Sequence, residues 1–500
     1  MNYLSTRGSV KKANSAEAIR TGIAPDGGLF TPESIPNLSL AEIQAMAGLT
    51  YEELATRILS IYLTDYNQSD LRKMTSAAYA SPAKFRVPEV TPVVQLTEGQ
   101  YLLELFHGPT CAFKDLALQI LPYLMAKAGE IAGDNKEIII LVATSGDTGK
   151  AALEGFRDVP GTRIIVFFPE EGVSQIQKLQ MITQEGSNTK VVGVKGNFDD
   201  TQNGVKAIFT DDGIIKELAA GKMSFSSANS INWGRLVPQI VYYFYGYLDL
   251  CRRGVIKPGE QINIAVPTGN FGNILAGYFA KKMGLPIARM ICASNSNNVL
   301  TDFIKTGTYD RNRAFYTTIS PSMDILISSN LERLLFYLSG NDSERVIQWM
   351  RDLKTQGGYR VDQDTASQIK SMFYGGFADE TCTMETIRRV YQETRYVMDP
   401  HTAVGKAVVD LYRQETGDGL PVLMVATASP FKFNRSVVQG ILGEAAVQGK
   451  TEFELLAKVS ELSGREIPAG LRGLERKEIR HRTVCVKEAM PEVVREILNK

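Results

Sequence analysis

Ile262-Asn263-Ile264-Ala265-Val266-Pro267-Thr268-Gly269-Asn270-Phe271-Gly272-Asn273-Ile274-Leu275-Ala276-Gly277 joins an apolar β-branched run to a glycine-bearing turn and then to a helical pattern. A short run of that kind reads as a strand buried on both faces. Related runs recur from Glu137 to Thr144, Arg163 to Pro169, Lys190 to Gly196, Ala288 to Ala293 and Pro421 to Ala428. Most are followed by a polar or glycine-rich turn and a helix, which predicts an α/β fold with a mostly parallel sheet. Ligands of such sheets sit at the carboxyl ends of the strands, so the turns there come first.

In the quoted turn, Gly269 and Gly272 would let the backbone approach an anion closely, and the following helix would aim its N–H groups at it. Gly269, Asn270, Phe271, Gly272 and Asn273 thus form a phosphate cup, while either glycine alone is equally well read as a turn residue needing positive φ. The dinucleotide spacing G-x-G-x-x-G is absent. After Ile138 to Val142 comes Thr144-Ser145-Gly146-Asp147-Thr148-Gly149-Lys150. It lacks the first glycine and the Mg-binding hydroxyl of a Walker loop. It remains either an anion cradle or a helix start capped by Ser145, Asp147 or Thr148. The third turn, Ala426-Thr427-Ala428-Ser429-Pro430-Phe431-Lys432-Phe433, offers a hydroxyl able to bond a ring nitrogen, or simply a bend at Pro430.

Phe106-His107-Gly108-Pro109-Thr110-Cys111-Ala112-Phe113-Lys114-Asp115 adds the reactive group. Ala112 and Phe113 would desolvate Lys114, and Ala117, Ile120, Leu121 and Leu124 predict a helix directly after it. Both effects disfavour the charged amine and prepare a Schiff-base lysine. Lysine, phosphate cup, ring-nitrogen hydroxyl and carboxylate cradle together describe a pyridoxal 5'-phosphate site.

Composition narrows the partners. The 500 residues carry 55 basic and 55 acidic side chains without long runs of either sign. There is no footprint for nucleic acid or an anionic membrane, and a small-molecule partner is expected. Five scattered cysteines without a C-x-x-C pair indicate a reducing compartment, and three histidines exclude a His-rich metal site. No metal is expected. The N-terminus opens no apolar core of signal-peptide length, and Ile240 to Leu248 is too short to span a bilayer, so a buried helix and a cytoplasmic protein are predicted. Residues 1–95 read as an N-terminal lobe and 96–500 as two α/β lobes with a cleft between them, the smaller covering roughly 130–225. The stretch from 340 to 400 reads as solvated charged helix.

The chain resembles the threonine synthase family, of the tryptophan-synthase-β-like pyridoxal phosphate fold (fold type II). The likeness rests on Ser5-Thr6-Arg7-Gly8, Ala24-Pro25-Asp26-Gly27-Gly28-Leu29-Phe30, the run from His107 to Asp115, Thr144 to Gly149, Ser227-Ala228-Asn229-Ser230-Ile231-Asn232, Gly269 to Asn273 and Pro400-His401. It implies two open, twisted, mostly parallel sheets flanked by helices, plus an N-terminal lobe. It implies Lys114 as the cofactor lysine, Gly269 to Asn273 as the cofactor phosphate loop, Thr427 as partner of the pyridine nitrogen and Ser145 to Gly149 as the substrate-carboxylate loop. One departure from the family pattern is Ser429, where a histidine is expected before Pro430, with Phe431 in place of alanine.

The implied reaction turns O-phospho-L-homoserine and water into L-threonine and phosphate by γ-elimination and β-addition of water, a carbon–oxygen lyase activity. A second anion site is then needed for the leaving phosphate. Asn229, Ser230, Asn232 and Arg235 are the candidates, against a polar loop with Arg235 in a structural ion pair; Ser174 and Lys178 are weaker ones. Closure of the lobe carrying residues 145–149 is also expected. Two rivals stand beside this reading: a phospho-lyase that releases a 2-oxo acid and ammonia, and a non-catalytic binding protein. Monomer and homodimer remain equally open.

Overall fold

The computed structural model describes residues 1–8, 11–134, 136–144, 146–170 and 173–499. Ser145, one of the expected carboxylate-loop residues, lies outside the described residues. All six predicted strands form, and they divide between two sheets. The larger sheet runs in the order Phe373–Phe377, Ile287–Ser294, Ile262–Pro267, Val422–Ala426, Gln100–Glu104, Val93–Thr97. It is parallel except for the final hairpin. The smaller sheet, parallel throughout, runs Thr483–Val486, Thr189–Lys195, Thr162–Pro169, Glu137–Ala143, Met223–Ser226. Val422–Ala426 and Ile262–Pro267 are buried along their whole length, as strands covered by helices on both faces must be.

Two elements differ from the sequence reading. The helix expected after Lys114 is two helices, Asp115–Leu118 and Leu121–Ile131. Pro122 has no N–H to donate to the Leu118 carbonyl, so the first helix ends there and Pro122 starts the second. In place of that bond, the backbone of Gly155 packs on the Leu118 carbonyl; a Cβ at 155 would lie 1.9 Å from its oxygen. The stretch from 340 to 400 is not all helix, since Phe373-Tyr374-Gly375-Gly376-Phe377 forms an edge strand. The C-terminal tail supplies Thr483–Val486 and the helix Met490–Leu498, whose Cys485, Met490 and Val494 pack with Val192, Val194 and Ile208.

Trp233–Arg252 is the predicted buried helix, 20 residues long and enclosed over nearly all of its length. It ties the N-terminal region to the rest of the chain. Tyr3 and Tyr62 each place their ring centroid 5.5 Å from that of Trp233, and Tyr51 packs edge-on to Tyr245. The N-terminal helices therefore share a core with the larger sheet and its helices rather than building one of their own. No helix among the described residues is long and apolar enough to cross a membrane.

Candidate active site

The turn bearing Lys114 is bonded to the end of the central strand Val422–Ala426. Leu105 N–H donates to Ala426 O (2.9 Å), Phe113 N–H to Thr427 O (2.8 Å) and Ser429 N–H to Cys111 O (3.0 Å). Thr110 donates its N–H and hydroxyl to the Asp115 carboxylate at 2.8 and 2.6 Å, closing the turn just ahead of the helix. Lys114 is the N-cap position of that helix, and its Nζ lies 5.1 Å from the Phe113 ring centroid. Part of its surface stays open to the cleft, but protein surrounds the amine. Burial, reinforced by Lys432 and Arg235 and opposed by Asp147 and Asp115, lowers its pKa to about 8.

Facing it is the start of the helix Asp147–Phe156. Gly146 holds φ 139°, and the Thr144 hydroxyl accepts from Gly146 N–H (3.0 Å) and Gly149 N–H (2.9 Å). The cap is thus Thr144, not Asp147 or Thr148. Helix geometry leaves the Asp147 and Thr148 amides without intrahelical acceptors, as an anion cradle requires. The Asp147 side chain is committed elsewhere, accepting from Lys432 Nζ (2.6 Å) and Gln177 Nε2 (3.0 Å). Burial opposes its ionisation, yet Lys432 and Lys114 outweigh that and hold its carboxyl well below the usual range. Lys432 also donates to Thr110 O at 3.1 Å, so one buried ammonium joins the Lys114 turn to the facing helix. Lys432 was not among the expected site residues. Its signal, a lysine between Phe431 and Phe433, is of the same kind as that of Lys114.

The 269–273 turn leads into the helix Gly272–Lys282, and the positive-φ alternative weighed for either of its glycines does not hold. Neither has positive φ; the left-handed residue is Phe271, at φ 61°. Gly269 is needed because a Cβ there would lie 2.7 Å from Ser322 O, while one at Gly272 would meet only ordinary contact with Asn330. The loop is braced from behind: Ser328 Oγ donates to Gly269 O (2.7 Å) and Asn330 Nδ2 to Asn270 O (3.0 Å). Buried Arg333 donates to Asn330 Oδ1, Ile231 O and, at 2.9 Å, Phe30 O. It thereby links the cup, the 227–232 loop and the N-terminal strand, a role no local sequence pattern announces. Asn273 Oδ1 accepts from the hydroxyls of Tyr242 and Tyr243, both at 2.6 Å, and its buried Nδ2 has no acceptor among the described residues.

Arg235, only 3 % exposed, donates Nη1 to Ala228 O (2.6 Å). No carboxylate pairs with it among the described residues, so the structural ion pair weighed above is absent. Burial lowers its pKa to about 10, and its Nε has no acceptor. Asn232 is spent on the fold: Oδ1 accepts from Gly234 N–H (2.8 Å), while Nδ2 donates to Ile19 O (2.8 Å) and Ser227 O (3.1 Å). Asn229 is exposed and Ser230 half-buried on the same loop. Ser174 caps the helix Gln175–Ile182 and Lys178 pairs with Glu170 at 3.0 Å, which gives both structural employment. Thr427 is buried beside the Lys114 turn.

Lys114, Lys432 and Arg235 set three cations against Asp147 around one strand-end cleft. The unpartnered Asn273 Nδ2 and Arg235 Nε are donors placed for acceptors that the fold itself does not supply. Such a cleft suits an anionic ligand carrying a carbonyl for the Lys114 amine, and a second anion beside Arg235.

Three family models match the chain: threonine synthase N terminus over residues 2–79, pyridoxal-phosphate dependent enzyme over 86–373, and threonine synthase C-terminal over 402–497. Threonine synthase-like 1 of Homo sapiens is 42% identical over 436 residues, 85% of this chain and 58% of that protein, so the chain spans little more than half of that relative's length. Threonine synthase of Pseudomonas aeruginosa is 38% identical over 450 residues, 89% of this chain and 91% of its own. The crystal structure of pyridoxal-phosphate-bound threonine synthase from Brucella melitensis superposes with a TM-score of 0.85 at 37% identity, covering 99% of each chain.

Proposed function

Because this chain belongs to the threonine synthase family of pyridoxal-phosphate-dependent enzymes, we propose that it converts O-phospho-L-homoserine and water into L-threonine and phosphate. The observation that carries the proposal is the buried Lys114 amine, its pKa lowered to about 8, standing within electrostatic reach of Arg235, which has no carboxylate partner among the described residues.

The residues present fit pyridoxal phosphate. The backbone of Gly269, Asn270, Phe271, Gly272 and Asn273 would hold its phosphate, Lys114 Nζ its carbonyl carbon, and the Thr427 hydroxyl its ring nitrogen without requiring a proton there. When bound, the cofactor supplies a ring that takes up the electron pair left at the substrate α-carbon. Lys114 Nζ, its pKa lowered to about 8, would take the proton from the substrate α-carbon in its neutral form and, once protonated, return it to that carbon at the end of the reaction. The amides of the 146–149 turn receive the substrate carboxylate, and the family resemblance adds Ser145 to that role. Asp147 takes no direct part, its negative charge being absorbed by Lys432, and this holds the turn against the Lys114 loop. Arg235, helped by Asn229 and Ser230, binds the phosphate and stabilises it as it leaves. Asn232 serves by shaping the helix start on which Arg235 stands.

The protein is read as a cytoplasmic enzyme. The even charge balance supports a small-molecule partner over a nucleic acid. The test is an assay with phosphohomoserine in which phosphate, threonine and 2-oxobutyrate are measured together, using the wild type and Lys114→Ala. Threonine equal to phosphate in the wild type, and neither in Lys114→Ala, is the expected result. Predominant 2-oxobutyrate would make the chain a phospho-lyase instead, and no turnover by cofactor-loaded wild type would leave the binding-protein reading.

A further inference from the structure

A cavity of about 290 Å³ lies against the Gly108–Cys111 turn that precedes Lys114. Its walls are the Gly108–Cys111 turn, the far end of the helix Asp147–Phe156, the helix Gln175–Ile182 and residues 468–477. Neither the cup nor Arg235 borders it. Glu154, on its wall, is seven residues beyond Asp147, about 10 Å along the helix at 1.5 Å per residue.

The charges around it do not balance. Lys84, Arg86, Lys150, Arg157 and Lys477 line the cavity against only Glu154 and Glu185. Glu154 takes Lys150 (3.1 Å) and Arg157 (3.2 Å), and Glu185 is a distant 3.9 Å from Arg157. Lys84 and Lys477 have no carboxylate partner among the described residues, and Arg86 donates only to the carbonyls of Phe106 (2.8 Å) and His107 (3.4 Å). The cations repel one another: burial lowers the pKa of Lys84, with Arg157 adding to it and Glu154 and Asp115 opposing, and burial lowers that of Lys150, with Lys477 and Arg157 adding to it and Glu154 opposing. Gathering unpaired like charges around a concave, partly desolvated space costs free energy that a bound anion recovers. On the same wall, Gln180 buries an Oε1 that no donor reaches among the described residues, so a ligand hydroxyl or amine would find an acceptor there.

We propose that this cavity binds a compact polyanionic metabolite, a phosphate ester or polycarboxylate, held by Lys84, Arg86, Arg157 and Lys477. Its volume is near the lower end for small-molecule pockets, which limits the ligand to a compact one. Because the helices Asp147–Phe156 and Gln175–Ile182 flank the smaller sheet while the Gly108–Cys111 turn belongs to the larger one, the occupant bridges both. The site is independent of the reaction performed in the cleft.

The test uses the cofactor-loaded enzyme with inorganic pyrophosphate as probe and sodium chloride at matched ionic strength as control, followed by calorimetric titration and thermal melting. Wild type should bind pyrophosphate saturably and melt higher with it than with the chloride control. Lys84→Gln/Lys477→Gln should bind at least about tenfold more weakly, while its melting temperature without pyrophosphate stays equal or rises as repulsion is relieved. If the double variant does not fold, Lys477→Glu alone, at an exposed position, should show the same weakening. Pyrophosphate no better than chloride overturns the proposal. So does undiminished binding in the variants, which would assign the anion to the cleft.

Discussion

Lys114 draws its chemistry from what surrounds it. Near pH 7, an amine with a pKa of about 8 is neutral in about one molecule in ten, against a few in ten thousand for a solvated lysine. The neutral form is the nucleophile, so reactivity rises with pH through the pKa and levels off above it. Covalent capture of pyridoxal phosphate by the cofactor-free protein, followed by its visible absorption, should therefore rise with a midpoint near pH 8. A midpoint above 10 would show an amine as wet as a free one. Lys114 was legible in sequence because Ala112 and Phe113 are adjacent to it, while the burial that lowers its pKa comes from the whole fold around it. Asp147 and Arg235 pull on the same amine from distant parts of the chain, and neither influence could be read locally. The same holds for the Asp147 side chain: its place at a helix start after a strand was foreseen, its capture by Lys432 was not.

At the scale of elements, backbone contacts decided what residue types only hinted at. Apolar β-branched runs marked the strands well, because a strand covered on both faces must be apolar throughout. Phe373–Phe377 escaped notice because its two central glycines break the run, and its pairing with Ile287–Ser294 supplies what its side chains do not advertise. The position of Lys114 depends on a contact between two helices at Gly155. An added methyl would lie 1.9 Å from the Leu118 carbonyl oxygen, and both atoms belong to backbones that cannot rotate away. Gly155→Ala should therefore push the helices Asp115–Leu118 and Asp147–Phe156 apart, at a cost of about 2–3 kcal/mol, and weaken cofactor binding at the adjoining Lys114. Urea denaturation with a parallel cofactor titration checks this. An unchanged midpoint and affinity would show that the contact yields without consequence.

For the whole molecule, the smaller sheet depends on the far C-terminus. Thr483–Val486 extends it beside Thr189–Lys195, and Met490 and Val494 cover Val192, Val194 and Ile208. Arg163 Nη1 donates to the carbonyl of Ile497 at 3.2 Å. Ending the chain after Arg482 should expose that apolar face and loosen the smaller sheet while sparing the larger one. Hydrogen exchange would show it as lost protection across 189–218 with 262–294 retained. Equal protection in both regions would mean that the tail only decorates the sheet.

By itself the sequence determined the α/β class, the positions of the main strands, the apolar setting of Lys114, the glycine-bearing 269–273 turn and, through its resemblance, the family. All of these rest on chemistry carried by neighbours within about ten residues: apolar runs, flexible turns and a desolvated amine. Only the tertiary structure decided that the Thr144 hydroxyl rather than Asp147 accepts from the first amides of the facing helix, that Asn232 serves the fold, and that Arg235 has no carboxylate partner among the described residues. It alone brought Lys432 to Asp147 and Arg333 to three separate segments. The physical reason is that burial and pairing of charge are properties of the space around a group. That space is filled by segments hundreds of residues apart, whose proximity no local pattern encodes.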